Sequence, residues 1–327
     1  MKTGFFVLAF MLLNLMSAYC GGALEMELVN VQEISLEQID TIKINYRSER
    51  ISLLSGNTDS FILKEYMNKN NSKYYAKISN AGNKLVVEAG QRPISIGFGN
   101  LRRRVEVYIP TLDGISISIK TSSGNIEAND EYTAPSMAFE TSSGNISANS
   151  INGDVFIRTS SGNIRFENAG GDADIRADSG EIVFDKIGGH ASIETSSGNI
   201  SGNAINGDVS ARSSSGRISI GPAGGKADLK TSSGRINYFA AKNSGDISIS
   251  AASGDVILDI AKNSTFNFSS RTRSGALRTP FSDKLFRSLS DGDYVQGAIN
   301  GDTVSENQNV KNIDINTSSG SIKVNWR

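Results

Sequence analysis

Chemistry in this chain has to come from carboxylates, hydroxyls and guanidinium groups, because its 327 residues include one Cys, Cys20, and one His, His190. That inventory excludes an internal disulfide and any zinc site built from several Cys or His ligands. Carboxylates offer more. Asp154, Asp172, Asp208 and Asp246 recur at equivalent positions with His190 and Lys226 between them. In stacked strands such neighbours lie ~4.8 Å apart, close to the ~5–5.5 Å between the carboxyls of a retaining glycosidase. Each of these residues nevertheless follows a turn glycine on what reads as a convex surface without a pocket. Asp in that place commonly bonds local backbone, and a turn role is the expectation.

Three further constellations reduce to structural readings. His190 could serve as the base of a Ser/His/Asp arrangement, but serines are so abundant that their nearness distinguishes nothing, so an exposed column His is expected. A calcium-binding nonapeptide roll needs G-G-x-G-x-D. In Gly170-Gly171-Asp172-Ala173-Asp174-Ile175, Ala and Ile hold the fourth and sixth positions, so the ligand set is absent. Thr141, Thr159, Thr195 and Thr231 form one hydroxyl column, broken by Ala177 and Ser213. An ice-ordering face needs two such columns, so a structural ladder is expected.

Cations give the surface hypothesis. Arg158, Arg176, Arg212 and Lys230 occupy one outward column, interrupted by Glu194, and form the candidate partner-binding site. Arg271, Arg273, Arg278, Lys284 and Arg287 crowd an excursion that also holds Phe266, Phe268, Phe281 and Phe286. Either group suits an anionic glycan, a lipid headgroup or a protein partner. Arg102-Arg103-Arg104 reads instead as a strand edge that discourages pairing. A net charge of −1 and 20% charged residues exclude a nucleic-acid binder and disorder.

These residues are positioned by a repeat. Ser-Gly steps fall at Gly124, Gly144, Gly162, Gly180, Gly198, Gly216, Gly234 and Gly254, mostly 18 residues apart. A second series from Gly153 to Gly225 halves that interval, giving a beat of nine. Each unit reads Gly, polar, apolar, polar, apolar, as in Gly162-Asn163-Ile164-Arg165-Phe166, and then turns through Ser, Thr, Asn, Ala and Gly. Period-two alternation over so few residues is a short strand with one buried face. The glycine is expected to supply the turn through positive φ. One unit cannot bury its apolar face alone, but stacked units can. The fold class is therefore all-β: a single-stranded β-solenoid, or β-helix, with 18-residue coils of two short strands, capped by irregular β segments. The 33 Gly serve the turns, and the scarcity of Pro, 5 residues, suits coils that must each donate backbone N–H groups to the next.

Four segments follow. Residues 1–23 hold Lys2, an apolar run from Phe5 to Met16 and small residues after it, the build of a signal peptide cleaved near 19–23 and too short to span a bilayer comfortably. Cys20 stands where a bacterial lipoprotein is lipidated, whereas Ser17 and Tyr19 fit that motif poorly and cleavage after Ala23 fits the small-residue rule; both readings stay open. Residues 24–114 form an N-terminal β region of first coils or a capping sheet. Residues 115–261 are the regular coils. Residues 262–327 comprise an insertion and a closing coil at Ile313-Asp314-Ile315, Thr317-Ser318-Ser319-Gly320 and Ile322-Lys323-Val324.

Repeated Thr-Ser-Ser-Gly-Asn-Ile, the Val107-Tyr108-Ile109-Pro110 strand before the first coil, and the closing Thr-Ser-Ser-Gly-Ser-Ile unit resemble the bacterial "putative adhesin" domain-of-unknown-function family over residues 35 to 325. The resemblance implies a right-handed β-helix exported to the cell envelope. It supplies no catalytic motif. The expected function is a non-enzymatic interaction or adhesin-like module, extracytoplasmic and without cofactor or metal, meeting an envelope, glycan or host-surface ligand and touching membrane only through a lipid on Cys20. The alternatives are a polysaccharide lyase or hydrolase, or a regulatory component of envelope-stress sensing.

Overall fold

The computed structural model describes residues 25–56, 59–93, 101–110, 114–282, 286–289, 292–299 and 310–327. The leader, Cys20 and Lys284 lie outside them, as do the side chains of Phe286 and Arg287. The chain divides into two compact units, one ending at Gly153 and the other beginning at Asp154. Both are built as β-solenoid.

In the first unit the strands are β1 (Glu27–Ser35), β2 (Thr41–Asn45), β3 (Arg50–Gly56), β4 (Ser60–Met67), β5 (Lys77–Ala81), β6 (Lys84–Glu88), β7 (Arg103–Pro110), β8 (Ser116–Lys120), β9 (Ile126–Thr141) and the first part of β10 (Ile146–Thr159). Coils stack through parallel pairs: β6, β2, β8 and late β9 on one side, β7, β3 and early β9 on the other. β1, β4 and β5 run antiparallel to their partners and finish the sheets. Layer order differs from chain order. The coil β2–β3 comes first in sequence yet lies between β6–β7 and β8–β9. Because β7 is bonded by β3 on one side and β4 on the other, Arg102-Arg103-Arg104 does not mark a strand edge. Arg103 points inward and is buried.

The second unit holds β11 (Ile164–Ala169), β12 (Ala173–Ala177), β13 (Ile182–Ile187), β14 (Ala191–Thr195), β15 (Ile200–Ile205), β16 (Val209–Ser213), β17 (Ile218–Ile220), β18 (Ala227–Thr231), β19 (Ile236–Ala240), β20 (Ile247–Ala251), β21 (Val256–Ile260), β22 (Phe266–Thr272), β23 (Leu277–Arg278), β24 (Phe286–Leu289), β25 (Gly292–Ile299), β26 (Lys311–Thr317) and β27 (Ile322–Trp326). Even-numbered strands from late β10 to β20 pair in parallel as one sheet, and odd-numbered strands from β11 to β21 as the other. Val155, Ala173, Ala191, Val209 and Ala227 are successive partners at 18-residue steps. These third-position residues and the fifth-position Ile157, Ile175, Ile193, Ala211 and Leu229 are all buried. Ala169, Ile187 and Ile205, which end β11, β13 and β15, and Ala223 are buried as well, completing the core of this unit.

The closing coil is not the last layer. β26 and β27 insert between β20–β21 and β22–β23, so residues 311–326 fill a slot left open by the preceding chain. Beyond β22 lies the antiparallel pair β24–β25. Phe266 and Phe268 are buried and pack with Phe281 and Trp326, the closest ring centroids being 4.8 Å apart. Phe266, Phe268 and Phe281 thus pack with one another and with Trp326 rather than forming a ligand surface.

The repeat glycines act differently from the expectation. Among the described glycines, positive φ occurs at Gly82 and Gly114, and none of the Ser-Gly steps is among them. What the steps share is proximity: a Cβ on Gly144, Gly198, Gly216 or Gly234 would overlap the carbonyl oxygen of the equivalent glycine one coil earlier. They are glycines because backbones stack there without room for a side chain. Gly202 answers a different need. Its missing side chain leaves space for the ring of Phe184, which stacks on Phe166 at 5.6 Å.

Candidate functional site

Alternation along late β10, β12, β14, β16, β18, β20 and β26 turns three residues per strand outward. Cross-strand register assembles them into columns. The first holds Asp154, Asp172, His190, Asp208, Lys226, Asp246 and Asn312. Phe156, Asp174, Ser192, Ser210, Asp228, Ser248 and Asp314 make the second. The third contains Arg158, Arg176, Glu194, Arg212, Lys230, Ser250 and Asn316. All four cations singled out from sequence therefore do share one face.

The carboxylate column is held by backbone. Asp154 Oδ1 accepts the N–H of Asp172 at 2.9 Å, Asp172 Oδ1 that of His190 at 2.7 Å, and Asp208 Oδ1 that of Lys226 at 2.7 Å. His190 takes the same place with its ring, Nδ1 accepting the N–H of Asp208 at 3.0 Å. A ring nitrogen occupied that way is no base for a serine. The partner in each case is the next coil, not the residue's own turn. Contrary to the convex surface expected, the first two columns line an open cavity of about 810 Å³.

The second and third columns pair with each other. Arg158 and Arg176 meet Asp174 at 3.7 and 3.2 Å, while Arg212 and Lys230 meet Asp228 at 2.8 and 3.0 Å. Arg176 also reaches Glu194 at 4.0 Å. The four cations stay 46–58% exposed, so each pair is a surface ion pair with donors left over. Asp174 and Asp228 thus face the cations of the neighbouring column, and a second groove of about 550 Å³ follows that column.

Hydroxyls of the Thr column face inward. Thr141, Thr159, Thr195, Ser213 and Thr231 are 3–7% exposed. Each accepts the N–H of the glycine three residues on, at 2.8–3.1 Å. Thr141 Oγ1 also donates to Gly124 O at 3.2 Å. This is a buried ladder joining turn to turn.

A second cluster, in the first unit, escaped the sequence reading. Glu49 and Glu65 are buried with Arg103 between them at 3.6 and 3.7 Å, and Arg103 Nη2 donates to Tyr74 O at 2.6 Å. Glu65 accepts from Tyr46 OH, Asn30 Nδ2 and the Ala76 N–H at 2.8–3.0 Å. Burial, and then the adjacent Glu65 charge, push the Tyr46 hydroxyl well above its ordinary pKa. Burial alone would raise Glu49, but hydrogen bonds from Arg92, Ser48 N–H and Arg47 N–H carry it below the usual carboxylate range. The sequence does contain a sign: Glu65 and Arg103 fall on the inward phase of strands whose other inward residues are Phe61, Leu63, Val105 and Val107.

Linkage fixes the sign of a pH effect. A carboxyl whose pKa is lowered by folding adds stability above its unfolded pKa and loses it as pH falls through the folded value. Glu49→Gln is thus expected to lower the melting temperature at neutral pH, with the deficit shrinking as the pH drops below the ordinary carboxylate range. Melting curves of both forms across that range check it; a constant deficit counts against the ion-pair role.

No group of three or more His, Cys, Asp or Glu able to hold a metal ion occurs among the described residues. Comparison with known proteins completes the description. The family model described as Toastrack DUF4097 matches residues 39–224 and 211–325. A "putative adhesin" from Bacteroides fragilis NCTC 9343 is 11% identical, with 90% of this chain and 96% of that chain covered and a TM-score of 0.40. A "putative lipid binding protein" from Parabacteroides distasonis ATCC 8503 is 13% identical, with the same coverage and a TM-score of 0.38. No curated protein matches the sequence.

Proposed function

This chain belongs to the Toastrack DUF4097 family, and from that premise we propose that it is a non-enzymatic interaction module working outside the cytoplasm. Its ligand is an extended envelope, glycan or host-surface molecule lying along the columned face of residues 154–327. One observation carries the reading: the outward residues stand in register coil after coil, so a linear ligand lies along a face whose carboxylates and cations recur at multiples of ~4.8 Å. Backbone hydrogen bonds hold the acidic column in place before any ligand arrives, which lowers the ordering cost of binding. The carboxylates that an alternative hydrolase would need are occupied as acceptors in that ladder. Support for export is the short apolar leader and the small residues that follow it.

The test is a glycan and peptide array probed with the full mature chain and with an Arg176→Glu, Arg212→Glu double variant. Charge reversal should weaken the strongest hits about tenfold or more, with the melting temperature unchanged. Release of reducing ends or unsaturated sugars from a polysaccharide panel, abolished by Asp172→Asn with Asp208→Asn, would replace the binding reading with an enzymatic one.

A further inference from the structure

We propose that the outward face of the antiparallel sheet in the first unit docks on an anionic lipid bilayer. The face begins at β1. A bulge between Leu28 and Asn30 brings Leu28 opposite Tyr66 and Val31 opposite Lys64. Since Phe61, Leu63, Glu65 and Met67 are the buried phase of β4, Leu28 and Val31 share the outward phase with Tyr66 and Lys64. Met26, Leu28 and Val31 are 39%, 47% and 39% exposed; among the described residues, Phe156 is the one other large apolar side chain exposed to this degree. Two of the four on one edge strand and a third just before it make a concentrated apolar surface.

Two tyrosines and their cations extend it. Tyr66 lies opposite Arg104 on β7, whose guanidinium stands 4.2 Å over the Tyr66 ring, and Lys64 Nζ stands 4.3 Å over that of Tyr108. Both tyrosine hydroxyls donate to Glu106, at 2.9 and 3.2 Å, so the acid at the centre of this face is already engaged. Rings with an apolar body and a polar tip suit the boundary between lipid and water.

Charge completes the match. Met26 also lines a cavity of about 590 Å³ together with Arg50, Arg92 and Arg102. Arg50 spends one amine on Glu127 and Arg92 one on Glu49, both at 2.6 Å, which leaves further donors on each fork. Arg102 has no carboxylate within ion-pair distance among the described residues. Guanidinium groups beside exposed Met and Leu match phosphate headgroups beside acyl chains. Glu33, opposite Ile62, shares this outward phase toward the far end of β1 from Met26, and the exposed Glu25 and Glu27 flank Met26, so the cations must outweigh these three carboxylates. In sequence, β1 begins 7 residues after Cys20, the candidate lipidation site (27 − 20).

The test is vesicle flotation with the full mature chain beginning at Gly21, which cannot be lipidated. Vesicles of phosphatidylcholine alone are compared with phosphatidylcholine–phosphatidylglycerol mixtures. The protein should float with the anionic vesicles only and be released by added salt. Arg102→Glu and Leu28→Asp should each lower binding about tenfold at an unchanged melting temperature. Equal binding to both vesicle types, or to neither, overturns the proposal. So does inorganic phosphate shifting the Arg102 resonances without vesicle binding, which assigns the cavity to a soluble anion. A dimer lost on Leu28→Asp, again without vesicle binding, assigns the face to a second copy and overturns it equally.

Discussion

Replacing Arg103 by Met should cost about 3–5 kcal/mol, enough to unfold the first unit at moderate denaturant. The side chains of Arg103, Glu49 and Glu65 are all fully buried, so removing the guanidinium leaves Glu65 without its cation and strands its charge away from water. Arg92 still serves Glu49 but is itself one-third exposed, and no ion pair joins it to Glu65. Arg103→Lys should recover only part of the loss, since an ammonium cannot reach Glu49, Glu65 and Tyr74 O together as the fork does. Adding Glu65→Gln to Arg103→Met should restore a further ~1–3 kcal/mol by removing the orphaned charge. Urea titrations of the three variants provide the measurement. A loss under ~1 kcal/mol for Arg103→Met would show that water or a compensating shift satisfies the carboxylates.

Gly198→Ala should cost about 3 kcal/mol or more, and the reason is backbone spacing. The added methyl overlaps Gly180 O, and a carbonyl in a stacked ladder cannot move aside as a side chain tip can. Relief requires opening the separation between coils, which strains the Thr195 hydroxyl bond to Gly198 N–H as well. By contrast Gly82→Ala should cost about 1–2 kcal/mol, the left-handed penalty alone, because its φ is +69° and nothing lies within 4 Å of the new methyl. The ordering is the informative outcome. If Gly82→Ala proves the more damaging, turn conformation rather than close stacking dictates the repeat.

The contrast between these glycines marks where sequence reading succeeds and stops. Coil length and inward positions were legible because a nine-residue beat with alternating apolar residues is a local pattern, repeated until chance is excluded. Ile164, Ile182, Ile200 and Ile218 announce one column by themselves. The purpose of the glycines was not legible, since a position needing positive φ and one needing a close approach are both spelled Gly. Layer order was hidden for a related reason. Every coil offers the same apolar phase, so nothing local says that Ile313 pairs with Ile247 and also with Phe268. At the candidate face, the cationic column could be read from spacing, but its pairing with Asp174 and Asp228 depends on which side chains bend toward each other. The Glu49–Arg103–Glu65 cluster joins β4, β7 and the turn before β3, and only the inward phase of two charged residues hinted at it.

The slot filled by residues 311–326 gives the molecule a polarity in time. A chain emerging from a ribosome or an export channel can wind the coils of its second unit in order from β11 as far as β21, but β22 and β23 cannot join that stack until β26 and β27 arrive, and until then β22 bonds only β25. Trp326, which packs on Phe266 and Phe281, follows them in the chain by 60 and 45 residues (326 − 266 and 326 − 281). A truncated product would therefore present two open strand edges and an unfilled aromatic cap, the features that proteases and aggregation find first. In effect β26 and β27 work as a late lock, closing the stack only after the segment that follows β23 has been made.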